Sequence, residues 1–341
     1  MNLVNNEFIA NSQAAKDTMI QPEQQSQPLV SVIIPTHNRA HFLREMLASI
    51  AAQTYRPIEV LVIDDGSTDD TPQMILATTQ KLFEAGVDCR YVVQTKSNAG
   101  CARNRGFRLS AGEYIIFMDS DDYARPEMIT RMVESLQRTD ADFCVCDVGR
   151  FRHCPEDLDQ VKRFSDRQHT AYAHIRAIAL QVCFLAKRYV IDAIGPWDEQ
   201  LSHRDDVEYT FRILVGGFRG TWLREVLYYW RMHSTQMSHR DDPEALASSL
   251  LVLTKMVQHA KFHGQHTWRM RAAFGQEFAR LAYVCNLRGY YSLSKEAKRV
   301  AEEECPGIGI PLVIYEGTRR ILGHNGIALI KSLHQWISQK I

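Results

Sequence analysis

Tyr114-Ile115-Ile116-Phe117-Met118 runs straight into Asp119-Ser120-Asp121-Asp122, and the reading of this stretch decides the chain. Five apolar residues, rich in β-branched and aromatic types and too few for a helix, predict a short buried strand. Three carboxylates within four residues are costly to hold together, because like charges raise each other's pKa. A hard divalent cation with oxygen ligands, commonly Mg²⁺ or Mn²⁺ shared with phosphates, is the usual remedy. Read alone, the stretch is equally an acidic turn before the helix that Pro126 opens, since Asp is favoured in turns and N-caps. The flanking sequence has to separate the two.

Working outward, strand and helix patterns alternate. Val30 to Ile34 is a strand ended by Pro35, and Phe42, Leu43, Met46, Leu47 and Ile50 fall at helical spacing over 40–53. Ile58 to Ile63 is a second strand entering Asp64-Asp65-Gly66-Ser67, and a helix starts near Pro72. Tyr91 to Gln94 is a third strand, followed by a helix over 99–109 and the fourth strand over 114–118. The alternation predicts an α/β fold with a Rossmann-like, mostly parallel central sheet flanked by helices. Such sheets bind ligands beyond the carboxyl ends of their strands. Pro35-Thr36-His37-Asn38-Arg39, Asp64-Asp65-Gly66-Ser67 and Asp119-Ser120-Asp121-Asp122 all leave those ends, so three ligand-capable segments converge on one edge. Turn chemistry accounts for any one of them; three together favour a nucleotide site.

Residues 1–28 read as a disordered tail, and 151–174 as a polar, irregular loop. Positions 175–190 fit helix or strand, and 201–240 return to mixed structure. Helices follow over 243–262, 268–287 and 291–304, then two basic amphipathic pieces near 310–322 and 327–340. The last two read as helices packed on the main domain, with peripheral membrane contact as the alternative. The expected organisation is a tail (1–28), a domain over 29–240 with halves 29–125 and 126–240, and a helical region over 241–341.

At 341 residues the chain has ample material for a core. Forty Lys plus Arg balance forty Asp plus Glu, so net charge argues for no nucleic-acid partner. Its eight cysteines lack paired metal spacing, and Cys144 and Cys146 lie inside an apolar strand-like run. Buried free thiols suit a reducing compartment. Residues 1–28 lack the apolar core of a signal peptide, and no run approaches the length of a membrane span. The expectation is a soluble cytoplasmic protein, or one peripheral to the inner face of a membrane.

The motifs Ser31-Val32-Ile33-Ile34-Pro35-Thr36-His37-Asn38-Arg39, Asp64-Asp65-Gly66-Ser67-Thr68-Asp69, Asn98-Ala99-Gly100-Cys101-Ala102-Arg103-Asn104-Arg105-Gly106 and Asp119-Ser120-Asp121 occur in this order and spacing. Together they resemble family 2 glycosyltransferases of the GT-A fold, over roughly residues 29–240. The resemblance implies that Pro35, Thr36 and Asp65 line a nucleotide-base pocket, Asp65 accepting from a ring N–H. It sets Asn98 and Arg103 near the nucleotide, Asp119 near the ribose and Asp121 on a divalent metal, with Asp122 as an extra ligand. For Arg103 the competing reading is a salt bridge across the sheet edge.

Gly195-Pro196-Trp197-Asp198-Glu199 and then Asp205-Asp206-Val207-Glu208 resemble the family's acceptor-side segment, where Glu-Asp is the usual pair. Asp206 matches the general base, which takes the acceptor proton in an inverting transfer. The bland reading of both Asp residues is charge complementing a helix N-terminus. His233 matches a histidine that several family members direct to the metal or the diphosphate. Processive polymerases of the family carry Gln-X-X-Arg-Trp, whereas Gln236-Met237-Ser238-His239-Arg240 lacks the Trp. The resemblance therefore implies a single-sugar transferase using a nucleoside-diphosphate sugar, a UDP-sugar above others, with Mn²⁺ or Mg²⁺ and a glycan or lipid-linked acceptor. The rival readings are a sugar-nucleotide pyrophosphorylase, which would want a Gly-rich loop after the first strand, and a non-catalytic nucleotide-sugar-binding scaffold.

Overall fold

A computed structural model describes residues 27–162, 171, 175, 183–233 and 242–307. Strands β1 (Val30–Thr36) and β2 (Ile58–Asp64) are buried along their whole length, as near-continuous apolar runs in a sheet covered on both faces must be. β1 pairs in parallel with β2 and with β4 (Tyr114–Phe117), and β2 pairs in parallel with β3 (Val87–Val93). The register sets Thr36 beside Asp64, so β1 and β2 end level, and Ile33 beside Phe117, so β4 ends three residues earlier at the same edge of the sheet. Backbone bonds continue past these ends: Asp65 N–H donates to Thr36 O at 2.9 Å and Met118 N–H to Ile33 O at 3.0 Å.

Helix α1 (Ala40–Ala51) buries Leu43, Met46, Leu47 and Ile50, as its spacing predicts. α2 (Thr71–Glu84) opens with Pro72 in its first turn, and α3 (Ala99–Leu109) spans the predicted residues. α3 lies tight on β1 because residue 106 is glycine: a Cβ there would come within 2.4 Å of Ile33 Cγ2. Beyond β5 (Tyr123–Ala124) and α4 (Met128–Thr139), the sheet is completed by β6 (Phe143–Phe151), β7 (Leu158–Lys162), β8 (Phe184–Lys187) and β9 (Gly220–Arg231). The strand order is β3-β2-β1-β4-β8-β6-β9-β5, with β7 paired to β6. β8 enters antiparallel between β4 and β6, while β9 runs parallel to β6.

β3 begins at Val87, four residues before the expected start at Tyr91, and two further segments differ from the sequence expectation. The stretch read as an irregular loop contains β7, an edge strand antiparallel to β6. Edge pairing uses backbone groups and needs no alternating apolar face, so the sequence carried no signal for it. The ambiguous 175–190 region yields β8 and the first turn of α5 (Arg188–Ile194), a strand and a helix in immediate succession.

Helix α6 (Asp205–Val215) is followed after β9 by α7 (Pro243–Phe262), α8 (Trp268–Leu287) and α9 (Tyr291–Glu304), matching all three predicted helices at both ends. Two apolar cores meet on α6. Tyr209 and Ile213 belong to the core of the sheet, whereas Val207, Phe211 and Val215 pack with Leu246, Leu253, Val257, Phe274 and Phe278. Each such buried side chain contributes roughly 1.5–3 kcal/mol. Among the described residues no helix is long and apolar enough to cross a membrane. The pieces near 310–322 and 327–340, the motif at 236–240 and most of the 1–28 tail lie outside the described residues.

Candidate active site

Because β1, β2 and β4 run parallel and end at the same edge of the sheet, the segments that leave them share a rim. At the β1 end, Pro35 is buried and Thr36 is 4 % exposed, and Thr36 Oγ1 is buried without a protein partner. His37 Nδ1 is likewise buried and unpartnered. A buried polar atom in that state costs about 1–3 kcal/mol unless a ligand or water meets it. At the β2 end, Asp64 is fully buried, accepting from Ser67 N–H at 2.8 Å and from the Tyr91 hydroxyl. Asp65 Oδ1 accepts from Gln94 Nε2 at 2.7 Å and from Ser97 N–H at 2.8 Å. Gly66, at φ +74°, turns the chain sharply beside Lys96.

Asn98 caps α3, its Oδ1 accepting from Cys101 N–H at 2.8 Å, while its Nδ2 donates to Glu199 O at 2.7 Å. Nearly two turns on, Asn104 holds Trp197 by both backbone groups, accepting from its N–H at 2.8 Å and donating to its carbonyl at 2.9 Å. The two asparagines thus fasten α3 to the Trp197–Glu199 turn.

Arg103 is only 5 % exposed. Its Nη2 donates to Asp119 Oδ1 at 2.8 Å and its Nη1 to Asp205 Oδ2 at 2.6 Å. The guanidinium lies over the Trp197 ring, 4.3 Å from its centroid, and that ring stacks on Tyr209 at 4.0 Å. Burial disfavours a charged guanidinium, but Asp205 and Asp119 outweigh it and hold the proton more firmly than usual. The salt-bridge reading of Arg103 is the arrangement found, and a planar fork is the one side chain that can span two carboxylates in this way.

The acidic run after β4 divides by partner. Oxygens of Asp119, Asp121 and Asp122 lie within 4.8 Å of one another. Burial and the charge of Asp121 raise the Asp119 carboxyl despite Arg103. Asp121 stays below the usual range, because His233 and Arg39 outweigh the cost of burial. Its Oδ2 meets the Arg39 guanidinium and lies 2.8 Å from His233 Nε2. Phe42, half-buried at the start of α1, stacks on the His233 ring at 5.0 Å. Asp122 is 3 % exposed and pushed well above the usual range by burial and by Asp121 and Asp119. Both its oxygens accept protein donors, Tyr228 O–H at 2.7 Å and Arg231 N–H at 3.1 Å, so it braces the run from beneath.

Asp205 and Asp206 open α6 directly after Arg204, whose φ is +59°. Half-buried Asp206 is pushed up to about 7 by burial and by the charges of Asp205 and Asp119, with Arg103 opposing. The rim at the strand ends and the acidic pair of α6 are therefore electrostatically one group. Arg39, Trp197, Tyr209 and Tyr228 complete the site without having been assigned from sequence. Arg39 stood in the first motif and Tyr228 in the run before His233, but the sequence held no signal for their partners.

Residues 31–194 match the family model described as "Glycosyl transferase family 2". An uncharacterized glycosyltransferase of Rickettsia prowazekii (strain Madrid E) is 24 % identical over 325 residues, covering 91 % of this chain and 96 % of the relative. The glycosyltransferase GlyG of Streptococcus pneumoniae serotype 4 is 35 % identical over 120 residues, 34 % of this chain and 38 % of that protein. Among solved structures, S. aureus TarS 1–349 in complex with UDP-GlcNAc superposes with a TM-score of 0.57 at 18 % identity, over 84 % of this chain and 92 % of that one. The mannosyltransferase PcManGT from Pyrobaculum calidifontis, in complex with GDP-Man and Mn²⁺, gives 0.56 at 17 % identity, over 92 % and 86 %. At such identities the structural likeness is one of fold, the GT-A arrangement of curled, mostly parallel sheet and flanking helices. On these grounds residues 31–194 form a glycosyl transferase family 2 domain, and the chain is a glycosyltransferase.

Proposed function

We propose that this glycosyltransferase moves one sugar, with inversion, from a nucleoside-diphosphate sugar to a hydroxyl of a glycan or glycolipid acceptor, and that the donor is a UDP-sugar. The observation that carries the reading is the Arg103 bridge, which ties Asp119 on the nucleotide rim to Asp205 at the head of the helix bearing Asp206. A transferase needs its donor and acceptor groups within bonding reach of each other, and one buried cation shared by Asp119 and Asp205 supports that reading.

In this reading Pro35, Thr36 and Asp65 line the base pocket, and the unpartnered Thr36 Oγ1 supports a ligand there. Asn98 orders the loop beside it, and Asp119 meets the ribose. Asp121 and His233 would hold Mn²⁺ or Mg²⁺; carboxylate oxygens within 4.8 Å of one another, with an imidazole beside them, form a donor set suited to such ions. When bound, the dication offsets charge growing on the departing diphosphate. Asp206 accepts the acceptor hydroxyl's proton as that oxygen forms its bond to the anomeric carbon and the bond to the diphosphate breaks. A single displacement inverts the centre. A base titrating at about 7 is matched to neutral conditions. Residues 29–125 then serve the donor and 126–240 the acceptor.

A thermal-shift screen of nucleotide sugars with and without Mn²⁺ tests the reading. A donor at a hundred times its dissociation constant adds about 2.7 kcal/mol, a shift of several degrees. No shift with any uridine, guanosine or thymidine diphosphate sugar, with or without the ion, would overturn it.

A further inference from the structure

The left-handed Arg204 sets the angle at which α6 begins, and as N-cap residue it makes no side-chain capping hydrogen bond to that helix. The turn is gripped instead from α7. Ser248 Oγ accepts from His203 N–H at 3.1 Å and donates to His203 O at 2.9 Å, so one hydroxyl holds both backbone groups of the residue before Arg204. His203 and Ser248 are each 7 % exposed. Two further polar contacts reach the same segment from the same side of α7. Lys255 pairs with Asp198, and His259 Nε2 lies 2.9 Å from Glu208 Oε1. Positions 248, 255 and 259 are separated by about two and about three helical turns, so they form one stripe. From the opposite side, Asn98 and Asn104 of α3 hold Trp197 and Glu199. The segment carrying Asp205 and Asp206 is thus clamped between two helices, one of them outside residues 31–194.

We infer that Ser248 is a positioning residue for the transfer step, fixing the His203–Arg204 turn so that the Asp206 carboxylate stands at the reacting centre. The inference rests on Asp206 being the base. A base displaced by about 1 Å costs on the order of a hundredfold in rate, and a hydroxyl that aligns the turn acts on kcat while leaving donor binding alone.

The test uses the full chain and the nucleotide sugar that stabilises it most in the screen above, with hydrolysis by water in place of acceptor transfer. Ser248→Ala is expected to lower kcat about tenfold or more with donor KM within about twofold. Ser248→Cys, of similar size but a weak donor, is expected to give the same split and serves where the alanine variant does not fold. Ser249→Ala is the matched control: Ser249 is 4 % exposed, and its hydroxyl donates only to Ala245 O of its own helix at 2.9 Å. It is expected to keep kcat. The inference fails where the Ser248 variants turn over within twofold of the parent, or where Ser249→Ala falls equally. An active Asp206→Asn variant would overturn the base reading itself, whereas a dead one beside unimpaired Ser248 variants would overturn only the positioning role.

Discussion

Replacing Arg103 by Met removes the one cation shared by Asp119 and Asp205 while keeping most of the side chain's volume. Each charge-assisted bond contributes about 1.5–3 kcal/mol, and breaking a buried ion pair costs about 3–5 kcal/mol because the partner charge stays behind. The Asp205 side chain is 17 % exposed and that of Asp119 is 35 % exposed, so water relieves part of the deficit. A loss near the lower bound, about 3 kcal/mol, is expected. At about 2–4 °C per kcal/mol this lowers Tm by roughly 6–12 °C. The effect should depend on pH with a definite sign. Burial already raises the Asp119 and Asp206 carboxyls, and without Arg103 both rise further. A carboxyl raised above its unfolded value favours the fold while protonated and loses that contribution as pH climbs through the folded value. The deficit of Arg103→Met is therefore largest near pH 8 and narrows toward pH 5. Thermal melts of parent and variant across that range decide the matter. A loss below about 3 °C at pH 8, or a deficit that does not change with pH, would refute the bridge as the organising contact. Arg103→Lys should fall between the two, since one ammonium cannot span both carboxylates.

Three further outcomes follow from the same geometry. Donor hydrolysis should rise with pH through about 7, as Asp206 loses its proton, and Asp206→Asn should abolish turnover while preserving the donor-induced thermal shift. Asp121→Ala should leave the fold intact yet remove the part of the donor shift that depends on Mn²⁺, measured by melts with and without the ion. Glu59→Ala should destabilise by about 2–4 kcal/mol without altering kcat per folded molecule, because Ser31 O–H and the Ala111 and Gly112 N–H groups lose a shared acceptor far from the rim. Against the cost of burial, Ser31, Ala111 and Arg90 hold the Glu59 carboxyl below its usual range, so its contribution fades as pH falls through that range.

The strands β1, β2 and β4 were legible because fully buried strands leave uninterrupted apolar runs, and α7 to α9 because their apolar positions recur every three to four residues. The rim was legible too, since parallel strands deliver whatever follows them to one edge. What the chain order could not supply was pairing. Arg103 and Asp205 are separated by 102 residues, His203 and Ser248 by 45, Asp121 and His233 by 112. Local periodicity reports which face of an element is buried, and nothing more. Which carboxylate meets which cation depends on distances set only when sheet and helices close on one another. The sequence alone therefore determined the parallel half of the sheet, β1 to β4, its flanking helices and the chemistry available at its edge. Tertiary packing alone decided that Arg103 joins Asp119 to Asp205, that Asp122 braces the acidic run from below, and that a helix beyond the matched domain grips the turn before Asp206.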